Sequence, residues 1–234
     1  MTDVLLYRGA GHGDVLCLTS VIPGLLEKFP DCSIDFATGS GYSDLIKYDP
    51  RIRDVFEISG QKEVNGYNFL YAPDHGRQWN APIPVVQCRM VDVPFSTPRY
   101  YLASNELETA PACDIAVCTY ATHDRRMVTA FPEAIQQLEK SFSVIQIDNG
   151  PTICENHPDT TIREAAAIIA KAGITITVDT GFMHVAVALK DISTLVLFGA
   201  LTGIHNQYIG KASSIRFPTV EQIVSEAKRL CQLA

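Results

Sequence analysis

The chain has no run approaching the roughly 18 consecutive apolar residues that a membrane-spanning helix needs. It also lacks long charged or low-complexity stretches, and its 47% hydrophobic content exceeds what intrinsic disorder allows. Basic residues are outnumbered 19 to 26, so a broad basic face for nucleic acid is not expected. There are seven cysteines, but the number is odd and no pair has C-x-x-C spacing. Cys17 and Cys118 lie in apolar runs, which suits reduced, buried thiols rather than a disulfide framework or a zinc site. No basic segment followed by an apolar core and a cleavage site opens the sequence. A secretion signal is therefore not expected, and a cytoplasmic location is. No H-E-x-x-H, G-x-S-x-G or Walker-type sequence occurs, and His75, His123, His157 and His205 share no ligand spacing, so no metal site is expected.

What is present is alternation. Residues 4–7 (VLLY), 33–37, 54–58 and 67–72 read as strands, with helical spacing over 14–29 and a short helix at 42–48. Pro23 should kink the 14–29 helix or end its first part. Residues 80–101 contain Pro82, Pro84, Pro94 and Pro98 and read as irregular, with an edge strand near PVVQC. The small, polar stretch 104–112 reads as a linker. Alternation then resumes: strands at 114–120, 144–147, 174–178 and 194–198, and helices from Pro132, from Thr160 or Thr161, from Gly181 and over 220–233. The expected fold is α/β with two Rossmann-like halves, 1–107 and 108–234, parallel sheets and a ligand cleft between the halves.

Three segments have the residue types for chemistry. The first, R-G-A-G-H-G-D at 8–14, lies between a strand and a helix. Gly9, Gly11 and Gly13 permit a tight turn and close backbone approach. The spacing is not that of a dinucleotide fingerprint, and no acidic residue closes a following strand in a clear ribose-binding position, although Asp35 lies about 20 residues on. Asp14 has two readings, a helix N-cap or a proton acceptor. The second segment, T-V-D-T-G-F-M-H at 177–184, follows a strand and opens a helix. Asp179, Thr180 and Gly181 would sit at the carboxyl end of a parallel strand with backbone N–H groups suited to phosphate, and His184 one turn on. The bland alternative is a cap and a surface histidine. In the third segment, T-Y-A-T-H-D-R-R-M at 119–127, Arg125 and Arg126 suit phosphate recognition or a solvated turn equally well.

Together, G-H-G-D-V-L-C-L-T at 11–19, V-D-T-G-F-M-H-V-A-V-A-L at 178–189 and T-L-V-L-F-G-A at 194–200 resemble the heptosyltransferase family of GT-B glycosyltransferases. The resemblance covers about residues 1–60 and 113–200. It implies two facing Rossmann-like domains and an inverting transfer from a nucleoside-diphosphate-sugar, with no metal held by a D-x-D motif and no cofactor. Asp14 would be the general base. Gly11, Gly13, Asp179, Thr180, Gly181 and His184 would serve the donor, with Arg125 or Arg126 in a place usually held by lysine. The chain is shorter than usual members, which implies a reduced N-terminal domain. The acceptor hydroxyl could belong to a saccharide, a protein, a metabolite or a modified nucleic-acid base. A nucleotide-sugar epimerase and a non-catalytic nucleotide-sugar-binding protein are the alternatives.

Overall fold

The computed structural model describes residues 2–58, 66–72, 81–121, 123–157, 160–189, 193–200 and 212–233. The chain divides into two compact units, Met1–Tyr101 and Leu102–Ala234.

The first unit is built on β1 (Thr2–Arg8), β2 (Cys32–Thr38), β3 (Asp54–Glu57) and β4 (Phe69–Tyr71), all parallel, in the order β3-β2-β1-β4. Val4, Leu5 and Leu6 are wholly buried, as a central strand covered on both faces requires. The 14–29 helix is divided as Pro23 demands. α1 (His12–Leu18) ends in a 3-10 turn, and α2 (Ile22–Lys28) begins with Pro23 in its first turn, where no backbone N–H is needed. The segment 42–48 forms only a 3-10 turn, Ser43–Leu45.

One proline-rich stretch departs from expectation. PVVQC is not an edge strand but part of α3 (Ile83–Val91), which packs on α1. Pro82 occupies the N-cap position and Pro84 lies in the first turn, so both prolines sit where a helix tolerates them. Asp92 closes the helix in the left-handed conformation, at φ 56°. Asp35 is not available to a ribose. It is 4% exposed, and it accepts from Arg53 Nε at 2.8 Å, Arg53 Nη2 at 2.6 Å and the Tyr67 hydroxyl at 2.7 Å.

The second unit begins with α4 (Ser104–Thr109), where the sequence suggested a linker. Its start is held by the Glu106 carboxylate, which accepts from the Ala103 amide at 2.6 Å and also pairs with Arg163. Then follow β5 (Ile115–Cys118), α5 (Phe131–Leu138), β6 (Val144–Gln146), β7 (Glu155–Asn156), α6 (Ile162–Lys171), β8 (Ile174–Val178), α7 (Gly181–Leu189), β9 (Thr194–Phe198), β10 (Ser213–Arg216) and α8 (Val220–Cys231). The six strands are parallel, in the order β10-β9-β8-β5-β6-β7. Alternate residues choose the faces. Ile115, Val117, Leu195 and Leu197 pack with Phe131, Ile135, Ile223 and Leu230 of α5 and α8. Val196 and Phe198 pack with Met183 and Val187 of α7. α6 starts with a capping box: the Glu164 amide donates to Thr161 Oγ1, and Glu164 Oε2 accepts from the Thr161 amide at 2.7 Å.

Candidate functional site

In each parallel sheet the strand order reverses once, and ligands bind α/β sheets at such points, beyond the carboxyl ends of the strands. In the first unit the reversal falls at β1, which lies between β2 and β4. In the second it falls at β5, which lies between β8 and β6.

At the end of β1 the chain makes the glycine turn. A Cβ added at Gly39 would run into the Gly9 carbonyl, so the backbones approach too closely for any side chain there. Gly11 has φ 84° and is itself the N-cap position of α1, its carbonyl accepting from the Val15 amide at 2.9 Å. Asp14 is therefore not the N-cap but the third residue of the helix, and its carboxylate turns back over Gly11. Arg8 Nη2 donates to Asp14 Oδ2 at 2.8 Å, with the two side chains 18% and 24% exposed. The buried Gln87 of α3 donates to the Asp14 carbonyl at 3.3 Å. Gly13 is buried in the helix. His12 packs edge-on against Tyr42, 4.8 Å between ring centres, and loss of surrounding water lowers its pKa.

At the end of β8 the chain enters Asp179, which is 2% exposed, and α7 starts two residues later. Arg126, from the 3-10 turn Asp124–Arg126 after β5, reaches this turn: Nη1 donates to the Asp179 carbonyl at 3.2 Å, and Nε lies 3.7 Å from Asp179 Oδ2. Its side chain is still 35% exposed, so the cation is shared between the turn and solvent. The Arg125 side chain lies outside the described residues, as do His75 and His205. Thr180 Oγ1 is 3.6 Å from the buried Cys118 Sγ. Burial, and secondarily the Asp148 charge, push the Cys118 thiol well above its ordinary range, so it is a neutral packing group. His184 is 4% exposed and is not a surface histidine.

The structure thus brings Arg126, Asp179 and Thr180 together at the second switch point, with Gly181 opening α7, and sets Gly11 beside Asp14 at the first. Sequence reasoning did not single out four further polar residues. Arg8 was visible as a charge directly before the glycine turn. Asp148 and Gln146 stand at the end of the 144–147 strand, where an acid and an amide in an apolar run are a signal in themselves. Gln87 was hidden by reading its segment as a strand. Among the described residues no cluster of His, Cys, Asp and Glu could hold a metal ion, and no helix is long and apolar enough to cross a membrane.

Residues 146–216 match the glycosyltransferase family 9 (heptosyltransferase) model. No curated protein matches the sequence. Among solved structures, Escherichia coli heptosyltransferase WaaC with ADP aligns at TM-score 0.74 and 15% identity over 97% of this chain and 98% of that one. A glycosyl transferase family 9 protein from Veillonella parvula aligns at 0.83 and 12% over 100% and 98%. E. coli ADP-heptose lps heptosyltransferase II aligns at 0.73 and 15% over 100% and 99%. At these identities the likeness establishes the fold. It is the GT-B-like, parallel-sheet α/β fold of the heptosyltransferases, and residues 146–216, which include the Asp179 to His184 turn, carry the glycosyltransferase family pattern.

Proposed function

We propose that the chain is a glycosyltransferase that moves a sugar from a nucleoside-diphosphate-sugar, in the first instance an ADP-sugar, to an acceptor hydroxyl, with inversion and without a metal ion. The observation that carries this reading is the convergence of Arg126 on the Asp179 turn at the β5/β8 switch point, immediately before α7. Free N–H groups in the first turn of a helix attract anions, and a guanidinium beside them binds phosphate through charge-assisted hydrogen bonds. As the sugar–phosphate bond breaks, negative charge grows on the leaving diphosphate, and fixed donors of this kind stabilise it. The similarity of the fold to heptosyltransferases, one of them with ADP, supports an adenine nucleotide as the first donor to try.

The acceptor hydroxyl has a pKa far above 7, so a base must take its proton as the new C–O bond forms. Asp14 is our candidate. Its carboxylate is 24% exposed and so accessible, and Arg8 holds it in one orientation. One displacement with the base on the nucleophile's side inverts the anomeric carbon.

Calorimetric titration of the whole protein with ADP, UDP and GDP, followed by transfer assays with the matching sugar nucleotides, tests the proposal. We expect one nucleoside diphosphate to bind and to raise Tm by mass action, activity to survive chelation, and the product to have the opposite anomeric configuration. If no nucleoside diphosphate binds, the reading fails. Sugar isomerised without any added acceptor would favour an epimerase instead.

A further inference from the structure

The connection from β6 to β7 is unusual. Parallel neighbours generally need a crossover of a dozen or more residues, most often a helix. Here residues 147–154 make the crossing with no helix at all. Nothing after β6 therefore offers a helix N-terminus to a ligand, and the short connection is held by side chains. Gln146, wholly buried, donates through Nε2 to the Pro151 carbonyl at 3.2 Å and to Asp148 Oδ1 at 3.0 Å, and its Oε1 accepts from the Ile153 amide at 3.1 Å.

Asp148 belongs to this staple but also reaches out of it. Its Oδ1 accepts from the Gly150 amide at 2.7 Å, within its own connection. Its Oδ2 accepts from the amides of Thr119 and Tyr120, the first two residues after β5. Thr119 Oγ1 lies 3.4 Å from the same oxygen. The carboxylate is 5% exposed, so these bonds form where water competes little and where leaving them unmade would be costly. Residues 119 and 120 begin the loop that delivers Arg126 to Asp179. The carboxylate thus fixes the take-off of that loop from the sheet, with its charge spent on N–H donors. Gly150 is part of the same fit: a Cβ there would come within 2.6 Å of both Asp148 Oδ1 and Tyr120 Cβ.

We propose that Asp148 is a positioning residue of the donor site, aiming Arg126 by gripping the backbone of the post-β5 loop. This rests on the donor site proposed above, at Arg126 and Asp179. Asp148 itself touches no substrate; it acts only through Thr119 and Tyr120.

The test uses the whole protein and ADP as probe. Asp148→Asn keeps the shape, but its NH2 must face an N–H donor whichever way the amide is turned. Gly150→Ala keeps the carboxylate and crowds it out of place. Each is expected to raise the ADP dissociation constant about tenfold, or ~1.4 kcal/mol, to raise the donor KM and to lower kcat as well, because a mis-aimed Arg126 also stabilises the leaving diphosphate less. Crossing Asp148→Asn with Arg126→Ala supplies a readout that a merely structural residue would not move. With Arg126 gone there is nothing left to aim, so the double variant should bind ADP about as weakly as Arg126→Ala alone. Losses that multiply to about a hundredfold, or an Asp148→Asn affinity equal to the parent's, would overturn the proposal while the donor site stands. Loss of the fold in both Asp148→Asn and Gly150→Ala would also overturn it, leaving Asp148 a staple of the β6–β7 connection. Failure of the parent itself to bind ADP or any other nucleoside diphosphate would remove the donor site and this inference with it.

Discussion

Arg126 and Asp179 lie 53 positions apart in the chain and meet only because β5 and β8 are neighbours in the sheet. The arginine pair was legible as a phosphate-binding candidate. That Arg126 reaches the β8 turn was not, because that depends on how the 3-10 turn Asp124–Arg126 leaves the strand. Arg126→Ala is expected to raise the ADP dissociation constant about tenfold and to flatten its salt dependence, since an exposed charge is removed. Arg126→Lys should fall between, keeping the charge but losing the fork that reaches Asp179. Titrations at low and high salt that overlay the parent would make Arg126 a surface charge only. Asp35 is a structural acid: the sequence offers no clear ribose-binding position after the glycine turn, and Arg53 and Tyr67 occupy the carboxylate. Burial alone would raise its pKa, but the Arg53 and Tyr67 hydrogen bonds outweigh that and hold the carboxyl below its usual range. A depressed folded pKa contributes stability above the unfolded value and loses it as pH falls through the folded one. Asp35→Asn should therefore be less stable than the parent at pH 7, and the gap should narrow as pH drops below about 4. Denaturant titrations showing the same gap at pH 7 and pH 3 would contradict this.

Elements were legible where their own residues decide them. β8, α7 and β9 fall at the residues expected, because five-residue apolar strands between a glycine and a cap leave little latitude. α3 and α4 were not legible, for different reasons. In α3 the prolines that argued against a helix occupy the N-cap and first turn, so the objection applied to the wrong positions. In α4 the sequence SNELET is polar and short, and no helix of that length is stable alone. What holds it is Arg163 of α6, whose side chain is 6% exposed and pairs with Glu106. Glu106→Ala should thus cost much more than a surface substitution, roughly 2–3 kcal/mol, since it removes both oxygens from a buried guanidinium and also uncaps α4. Glu106→Gln, which keeps an acceptor, should cost less. The measurement is the denaturant midpoint at unchanged slope. A shift for Glu106→Ala within about 0.5 kcal/mol, the usual surface range, would mean that α4 is held by something other than this pair.

At the scale of the whole molecule, both units repeat one plan: a parallel sheet whose order reverses at its first strand, with the proposed site residues at that reversal. The plan was readable because strands covered on both faces appear as short apolar runs. The marginal strands were not, since β7 and β10 are brief and partly exposed and are set by their neighbours rather than by their own residues. The proposed function divides the labour, with donor groups in the second unit and the proton acceptor in the first, and Asp14→Asn tests that proposal. Gly11, not Asp14, holds the N-cap position, and Asp14 is an acid in the first turn. Removing a negative charge from the first turn should cost at most about 1 kcal/mol, so Tm should change little. Asparagine can still accept from Arg8 but cannot take a proton, so kcat should fall about 100-fold or more. ADP affinity should stay at the parent's value, because Arg126, Asp179 and the start of α7 are untouched. Turnover within a few-fold of the parent would mean that Asp14 only steadies Arg8 and the turn, and that the proton goes to another base. A parallel loss of ADP affinity would mean that the donor's site extends to Asp14 and that the two units share the donor.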